Sequence, residues 1–194
     1  MKYKLTEETK EFLGRKLHRI VCVTAFASVS VGDIGGWVES ENNLSQEGNA
    51  WVYGNAWVCG KAEVCDNAEV CGNAEVYGDA KVYGKAEVCG NAEVCGKAEV
   101  YGNARVYGKA EVCGNAEVCG LQDFMVLKNS WSSGRSFTYT ASNKMWKVGC
   151  FYGTGQELIK KAYNDSELSG KCYEATVKYV EEIERLKKEL KNEH

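Results

Sequence analysis

The sequence predicts a mainly-β protein whose centre is a parallel β-helix, and three observations carry that prediction. Alanine recurs at every sixth position from Ala50 to Ala116, and valine at every sixth position from Val52 to Val118, without a gap. Within each unit, Ala-x-Val-x alternates inward and outward like a short strand. The Gly-Asn, Gly-Lys or Gly-Asp that follows supplies a corner, where glycine and asparagine tolerate positive φ. An amphipathic α-helix would instead place apolar residues at i, i+3, i+4 and i+7, a stripe that a six-residue period cannot produce.

The order of small inward residue, outward residue, branched inward residue and glycine corner resembles the left-handed β-helix hexapeptide family over residues 49–120. That resemblance implies three units per triangular coil of eighteen residues, hence a left-handed parallel β-helix of about four to five coils. Upstream, Val38 and Leu44 precede Ala50 by twelve and six residues, and Ile34 precedes Val52 by eighteen, which places the start of the helix near residue 29. The stretch "GDIGGWVESENNLSQEGNAWVYGNA" (32–56) also resembles the opening of hexapeptide-repeat proteins common in phages and prophages, a group in which an acyltransferase label occurs.

Residues 1–28 read as an amino-terminal β cap, because open coils expose strand edges and core. "KYKL" and "KLHRIVCVTAF" read as its strands, and "TEET" and "LGRK" as turn or short-helix punctuation. His18 and Arg19 read as a structural pair.

Residues 121–194 read as a small α+β domain of order βββαα. "DFMVLKN" (123–129), "RSFTYT" (135–140) and "KMWKVGCFYG" (144–153) are its three strands. Thr154 and Glu157 stand at capping-box spacing before a first helix, and a second helix runs from about Lys171 to Asn192. On it Thr176, Tyr179, Ile183, Leu186 and Leu190 form a short heptad seam, with Val177 and Val180 as a second apolar edge. Tyr179, Ile183, Leu186 and Leu190 are the candidate contacts of a homo-oligomer, a dimer or trimer.

Composition narrows the function classes. The net charge of −3 leaves no segment basic enough to announce nucleic-acid binding. No apolar run reaches membrane-spanning length, so the expected location is the cytoplasm of a bacterial host. Seven of the ten cysteines (59, 65, 71, 89, 95, 113 and 119) share one outward repeat slot with tyrosine, so their spacing follows the repeat and not a metal motif. At eighteen residues per coil, Cys71 falls beside Cys89 and Cys95 beside Cys113, within Cα range for disulfides. A reducing cytoplasm favours reading the slot as an unbonded, mildly apolar outer surface.

The resemblance to hexapeptide enzymes would imply a trimer with a catalytic histidine at the coils. This chain carries only His18 and His194, both outside them, and the repeat has no loop excursions. No catalytic residue, cofactor or metal is expected. The non-repeated turns offer the candidate binding residues Trp131, Arg135, Tyr139, Asn143, Trp146 and Lys147, since aromatic planes stack on ligands and arginine forks two hydrogen bonds to an anion. The functional reading is a non-catalytic binding or scaffold protein of phage or prophage origin. Its partner is a host or phage protein, or a small nucleotide signal sequestered in a counter-defence role. An acyltransferase and a structural spacer are the alternatives.

Overall fold

The computed structural model describes residues 1–12 and 14–192. Strands β1 (Tyr3–Phe12) and β2 (Arg15–Cys22) form an antiparallel hairpin, and β3 (Ile34–Val38) pairs antiparallel with β2. Twelve two-residue strands among the described residues, β4 to β15, then follow at six-residue intervals from Trp51–Val52 to Glu117–Val118. They stack as three parallel sheets: β3-β5-β8-β11-β14, which continues into the hairpin, β4-β7-β10-β13, and β6-β9-β12-β15. The result is a parallel β-solenoid of about five turns, four of them regular.

The repeat works as its spacing suggests. Every alanine of the series is fully buried and every valine is at most 1% exposed, so the two inward positions form one continuous core. Burying a valine side chain contributes about 1.5–3 kcal/mol, and alanine keeps the corner narrow enough for the three sheets to meet. Equivalent residues pair eighteen apart, as Val70 does with Val88. The corner glycines from Gly54 to Gly114 lie at φ between 59° and 77°. Asp66 takes this corner conformation too, at φ 60°, and its carboxylate accepts a hydrogen bond from the Gly84 N–H at 3.0 Å.

Upstream, the phase differs from the expectation by two residues. Val38 pairs with Val58 and Leu44 bridges to Val64, each twenty residues on, so both occupy the valine slot and not the alanine slot. Ile34 pairs antiparallel with Val21 and is 57% exposed, outside the core. The "TEET" segment is not a turn but the middle of β1, with a register irregularity between Leu5 and Thr9. His18 Nδ1 lies 3.3 Å from the Thr6 carbonyl, and Arg19 stacks on Trp37 while donating to the Gly54 carbonyl at 2.7 Å.

The outward cysteine slot is less open than expected. Cys59 and Cys113 are buried, the first beneath a cluster of Leu17, Trp37, Trp57 and Phe12. Cys71–Cys89 and Cys95–Cys113 are disulfides with Cα atoms 4.6 Å apart, which corrects the expectation of an unbonded surface. One rung of a parallel stack is itself disulfide spacing.

The carboxy-terminal part is ββββαα. The third expected strand is two, because Gly149 at φ 57° turns the chain between β18 (Met145–Val148) and β19 (Phe151–Gly153). These join β16 (Phe124–Lys128) and β17 (Ser136–Thr140) in one antiparallel sheet of order β16-β17-β18-β19. Helix α1 (Gly155–Asp165) starts at the Thr154–Glu157 capping box. Helix α2 (Glu167–Asn192) begins four residues earlier than expected, after a single break at Ser166. Among the described residues, no helix is long and apolar enough to cross a membrane.

Candidate functional site

A parallel stack has chemical polarity. Each backbone N–H points to the following coil and each C=O to the preceding one, as when Glu75 N–H donates to the Ala92 carbonyl at 2.9 Å. The amino end therefore leaves carbonyls without a partner coil, and the carboxy end leaves N–H groups. Buried orphans of either kind are costly.

At the amino end donors supply the cap. Lys2 Nζ donates to the Ala50 carbonyl at 2.8 Å, Arg19 to Gly54, and the fully buried Asn43 amide to the carbonyls of Gly60 (3.1 Å) and Ala62 (2.8 Å). Burial of the Lys2 ammonium lowers its pKa to about 8.

At the carboxy end acceptors supply it, on two of the three sides. On the β14 side (Glu111–Val112), Glu111 N–H donates to Thr138 Oγ1 at 2.9 Å, and the Tyr152 hydroxyl reaches the coil by donating to the Cys113 carbonyl at 3.2 Å. On the β15 side (Glu117–Val118), Glu117 N–H donates to Ser142 Oγ at 2.8 Å, and the N–H groups of Cys119 and Gly120 share one Asp123 carboxylate oxygen at 2.8 Å each.

The third side, β13 (Arg105–Val106), is different. Its carbonyls are taken by the preceding coil, through Glu87 N–H to Ala104 and Cys89 N–H to Val106. Among the described residues, no acceptor meets the N–H groups of Arg105, Tyr107 and Lys109. Two shallow cavities lie along this edge. One of about 420 Å³ is lined by Cys89, Arg105, Tyr107 and Leu121, and one of about 410 Å³ by Tyr107, Lys109, Leu121, Phe124 and Val126. They share Tyr107 and Leu121 and so make one groove. Tyr107 is 60% and Leu121 64% exposed, an apolar surface beside unused backbone donors. Arg105, ion-paired to Glu87 at 3.0 Å, and the exposed Lys109 border it, and Lys128 shares the Phe124–Val126 face of β16.

The six residues singled out from the sequence do not form one pocket. Trp146 (2% exposed) and Tyr139 (6%) pack on each other with ring centroids 5.0 Å apart, in a core with Phe137, Leu158 and Val177. Burial raises the Tyr139 phenol to about 12. Trp131 packs edge-on against Phe137 and Tyr173, its indole N–H buried without a partner among the described residues. Asn143 ties a turn, accepting from Thr140 Oγ1 at 2.5 Å and donating to the Tyr152 hydroxyl at 3.1 Å. Lys147 points the other way, to Glu111 on the solenoid at 3.5 Å and to the Gly149 carbonyl at 2.7 Å. Arg135 is exposed.

On α2, Val177 and Val180 face the core, while Tyr179, Leu186 and Leu190 are exposed and Ile183 is half-buried. Tyr139 also borders a hollow of about 340 Å³ with Lys144, Glu181, Glu184, Arg185 and Lys188. His18 lies in the hairpin, and His194 falls outside the described residues. The open flank escaped sequence reasoning, although one signal was present: Ser136–Thr140 and Ser142 bring hydroxyls to the end of the repeat, enough for only some of the last coil's donors.

No family model matches this chain. It is 39% identical over 59 residues to the uncharacterized acetyltransferase YdcK of Escherichia coli (strain K12). The match covers 26% of this chain and 18% of that relative, so the chain spans under a fifth of the relative's length. This partial likeness and the solenoid fit a hexapeptide-type β-helix repeat protein.

Proposed function

We propose that the protein is a non-catalytic binding rod whose working surface is the open β13 flank of its last coil, where an extended segment of a partner protein adds as a strand. The observation that supports this reading is the contrast within one coil: two sides have N–H groups that meet side-chain acceptors, at Glu111 on one and at Glu117, Cys119 and Gly120 on the other, and the third leaves those of Arg105, Tyr107 and Lys109 free beside an apolar groove. Strand addition draws affinity from main-chain bonds and specificity from the pockets of alternate side chains. Arg105, Lys109 and Lys128 complement an acidic segment. A second copy stacking head to tail does not suit this edge. The matching amino-terminal edge, at β4 (Trp51–Val52), is covered by Phe26 on Trp51 and by Lys2 and Arg19 on the flanking carbonyls of Ala50 and Gly54.

The test is an array of extended decapeptides alternating valine or isoleucine with glutamate, followed by amide hydrogen exchange on the bound complex. Binding should protect the amides of Arg105, Tyr107 and Lys109 and be lost in Tyr107→Asp/Lys109→Glu. Binding that leaves these three amides exchanging freely, or no binding by any alternating peptide, overturns the assignment of this flank.

Acetyl transfer is the second reading, favoured by the partial likeness to YdcK. Such chemistry needs a general base beside a thioester cleft, and the carboxyls of Glu75 and Glu111, both raised above the usual range chiefly by burial, are the candidates on the coils. Titration with acetyl-coenzyme A in a calorimeter decides it: saturable binding by an assembled oligomer would favour an enzyme. Self-association itself belongs to the proposal through Tyr179, Leu186 and Leu190. A phage or prophage origin with a counter-defence role is the narrowest form of the binding reading. Within it a protein target suits the open flank better than a nucleotide, because Trp131 and Trp146 are turned into the carboxy-terminal core.

A further inference from the structure

The two disulfides look alike along the backbone and differ in their surroundings. Both join in-register cysteines one coil apart with Cα atoms 4.6 Å from each other. Cys71–Cys89 lies on the β4-β7-β10-β13 sheet, where the neighbouring Glu87 carboxylate is engaged by Arg105 at 3.0 Å. Cys95–Cys113 lies on the sheet that continues into the hairpin. There a Glu93 carboxylate oxygen and the two sulfurs all lie within 4.8 Å of one another, with Cys113 buried.

The surroundings of this second pair are those of a ligand set. Glu93 is oriented by a hydrogen bond from the Tyr77 hydroxyl. On one side Tyr77 stacks on Trp57 at 5.7 Å, and on the other the Tyr152 hydroxyl donates to the Cys113 carbonyl at 3.2 Å. Glu111 follows Glu93 on the next rung, with Lys147 beside it. Carboxylates that bind metal are in turn held by hydrogen bonds of this kind.

Two thiolates on a tetrahedral zinc, each about 2.3 Å from the metal, stand roughly 3.8 Å apart. Adjacent parallel rungs lie about 4.8 Å apart, so reduced cysteines on neighbouring coils reach that spacing by leaning slightly together. The same ladder geometry thus serves a disulfide or a metal, and the third donor decides which pair can take the metal.

We propose that Glu93, Cys95 and Cys113 form a site for a thiophilic divalent cation, zinc above all, open to the ion when the cysteine pair is reduced and closed when it is oxidised. Reduction adds two electrons and two protons to the disulfide, giving two thiols; a phosphine supplies the electrons and ends as its oxide, and water supplies both protons and the oxide's oxygen. Zinc then displaces the two thiol protons and binds two thiolates and the Glu93 carboxylate. Three protein donors leave a fourth position to water or to an added ligand.

The experiment uses the full chain, reduced with tris(2-carboxyethyl)phosphine, loaded with zinc, dialysed and assayed for metal; cobalt(II) serves as the optical probe. One zinc per chain and a thiolate-to-cobalt charge-transfer band are expected. Both should vanish in Cys95→Ser and in protein oxidised with diamide, persist in Cys89→Ser, and weaken tenfold or more in Glu93→Gln. Circular dichroism of each variant checks that the solenoid is intact. Equal metal loss in Cys89→Ser and Cys95→Ser, or cobalt binding without a thiolate band, overturns the site.

Discussion

The two ends of the solenoid face the same problem with opposite chemistry. The amino end presents carbonyls and is closed by donors: the Lys2 ammonium, the Arg19 guanidinium and the Asn43 amide. The carboxy end presents N–H groups and is closed in part by acceptors: Thr138, Ser142 and Asp123. A parallel stack cannot be capped by one device at both ends, because all its hydrogen bonds point one way. The difference also shows where closure stops, at β13, and an edge with free donors is a place for another chain to pair.

The largest effect should come at the amino end. Asn43→Leu removes the amide's two bonds to the carbonyls of Gly60 and Ala62, which lose their donors, together with the bonds its Oδ1 accepts from Ser40, a loss of about 3–4 kcal/mol to be read as a lower urea midpoint. A loss below that of a single exposed bond would mean that water caps this end. Next, Gly114 and Gly108 have the same corner conformation, at φ 71° and 72°. A Cβ at Gly114 would collide with the Tyr152 ring and hydroxyl, whereas nothing lies within 4 Å of one at Gly108. Gly108→Ala should cost about 1–2 kcal/mol for the left-handed backbone alone. Gly114→Ala should cost about 1 kcal/mol more through the displaced Tyr152 bonds. Equal losses would show that Tyr152 contributes nothing to holding the carboxy-terminal sheet on the β14 side.

Thr138→Val keeps the shape of the side chain and deletes the acceptor of Glu111 N–H, a loss of about 1 kcal/mol, with faster hydrogen exchange at Glu111 as the specific readout. The smallest effect concerns the aromatic cluster near the amino end. Burial pushes the Cys59 thiol up to about 11 from an ordinary 9. Its folded pKa is the higher one, so its contribution to stability is complete below about pH 9 and is lost as the pH rises toward 11. Chemical denaturation between pH 8 and 11 should show a steeper decline for the native chain than for Cys59→Ala; parallel curves would count against a buried thiol there.

Much of the fold was legible residue by residue. The alanine and valine series revealed strand, corner and core, since a six-residue period with in-out alternation has few physical solutions. The Thr154–Glu157 box revealed the start of α1, because capping is a local interaction of four residues. Less legible was the phase of Val38 and Leu44. Two extra residues before Ala50 shift the register, and nothing in the spacing says whether a branched residue fills the valine or the alanine slot. The Gly149 turn was hidden within an apolar run that reads as one strand. Also illegible was the environment of the candidate binding residues: Trp131, Tyr139 and Trp146 carry the letters of a binding site but pack against α1 and α2, a choice made by packing across the chain.

By itself the sequence determined the repeat, the inward core and the rung on which each cysteine sits, because each follows from interactions at a fixed and repeated separation. Only the tertiary structure decided how the stack ends: which side chains meet the orphaned backbone groups, which flank of the last coil stays open, and which of two equivalent cysteine pairs gains a third donor. Those outcomes depend on where the hairpin and the carboxy-terminal sheet come to rest against the rod, and no local period encodes that contact.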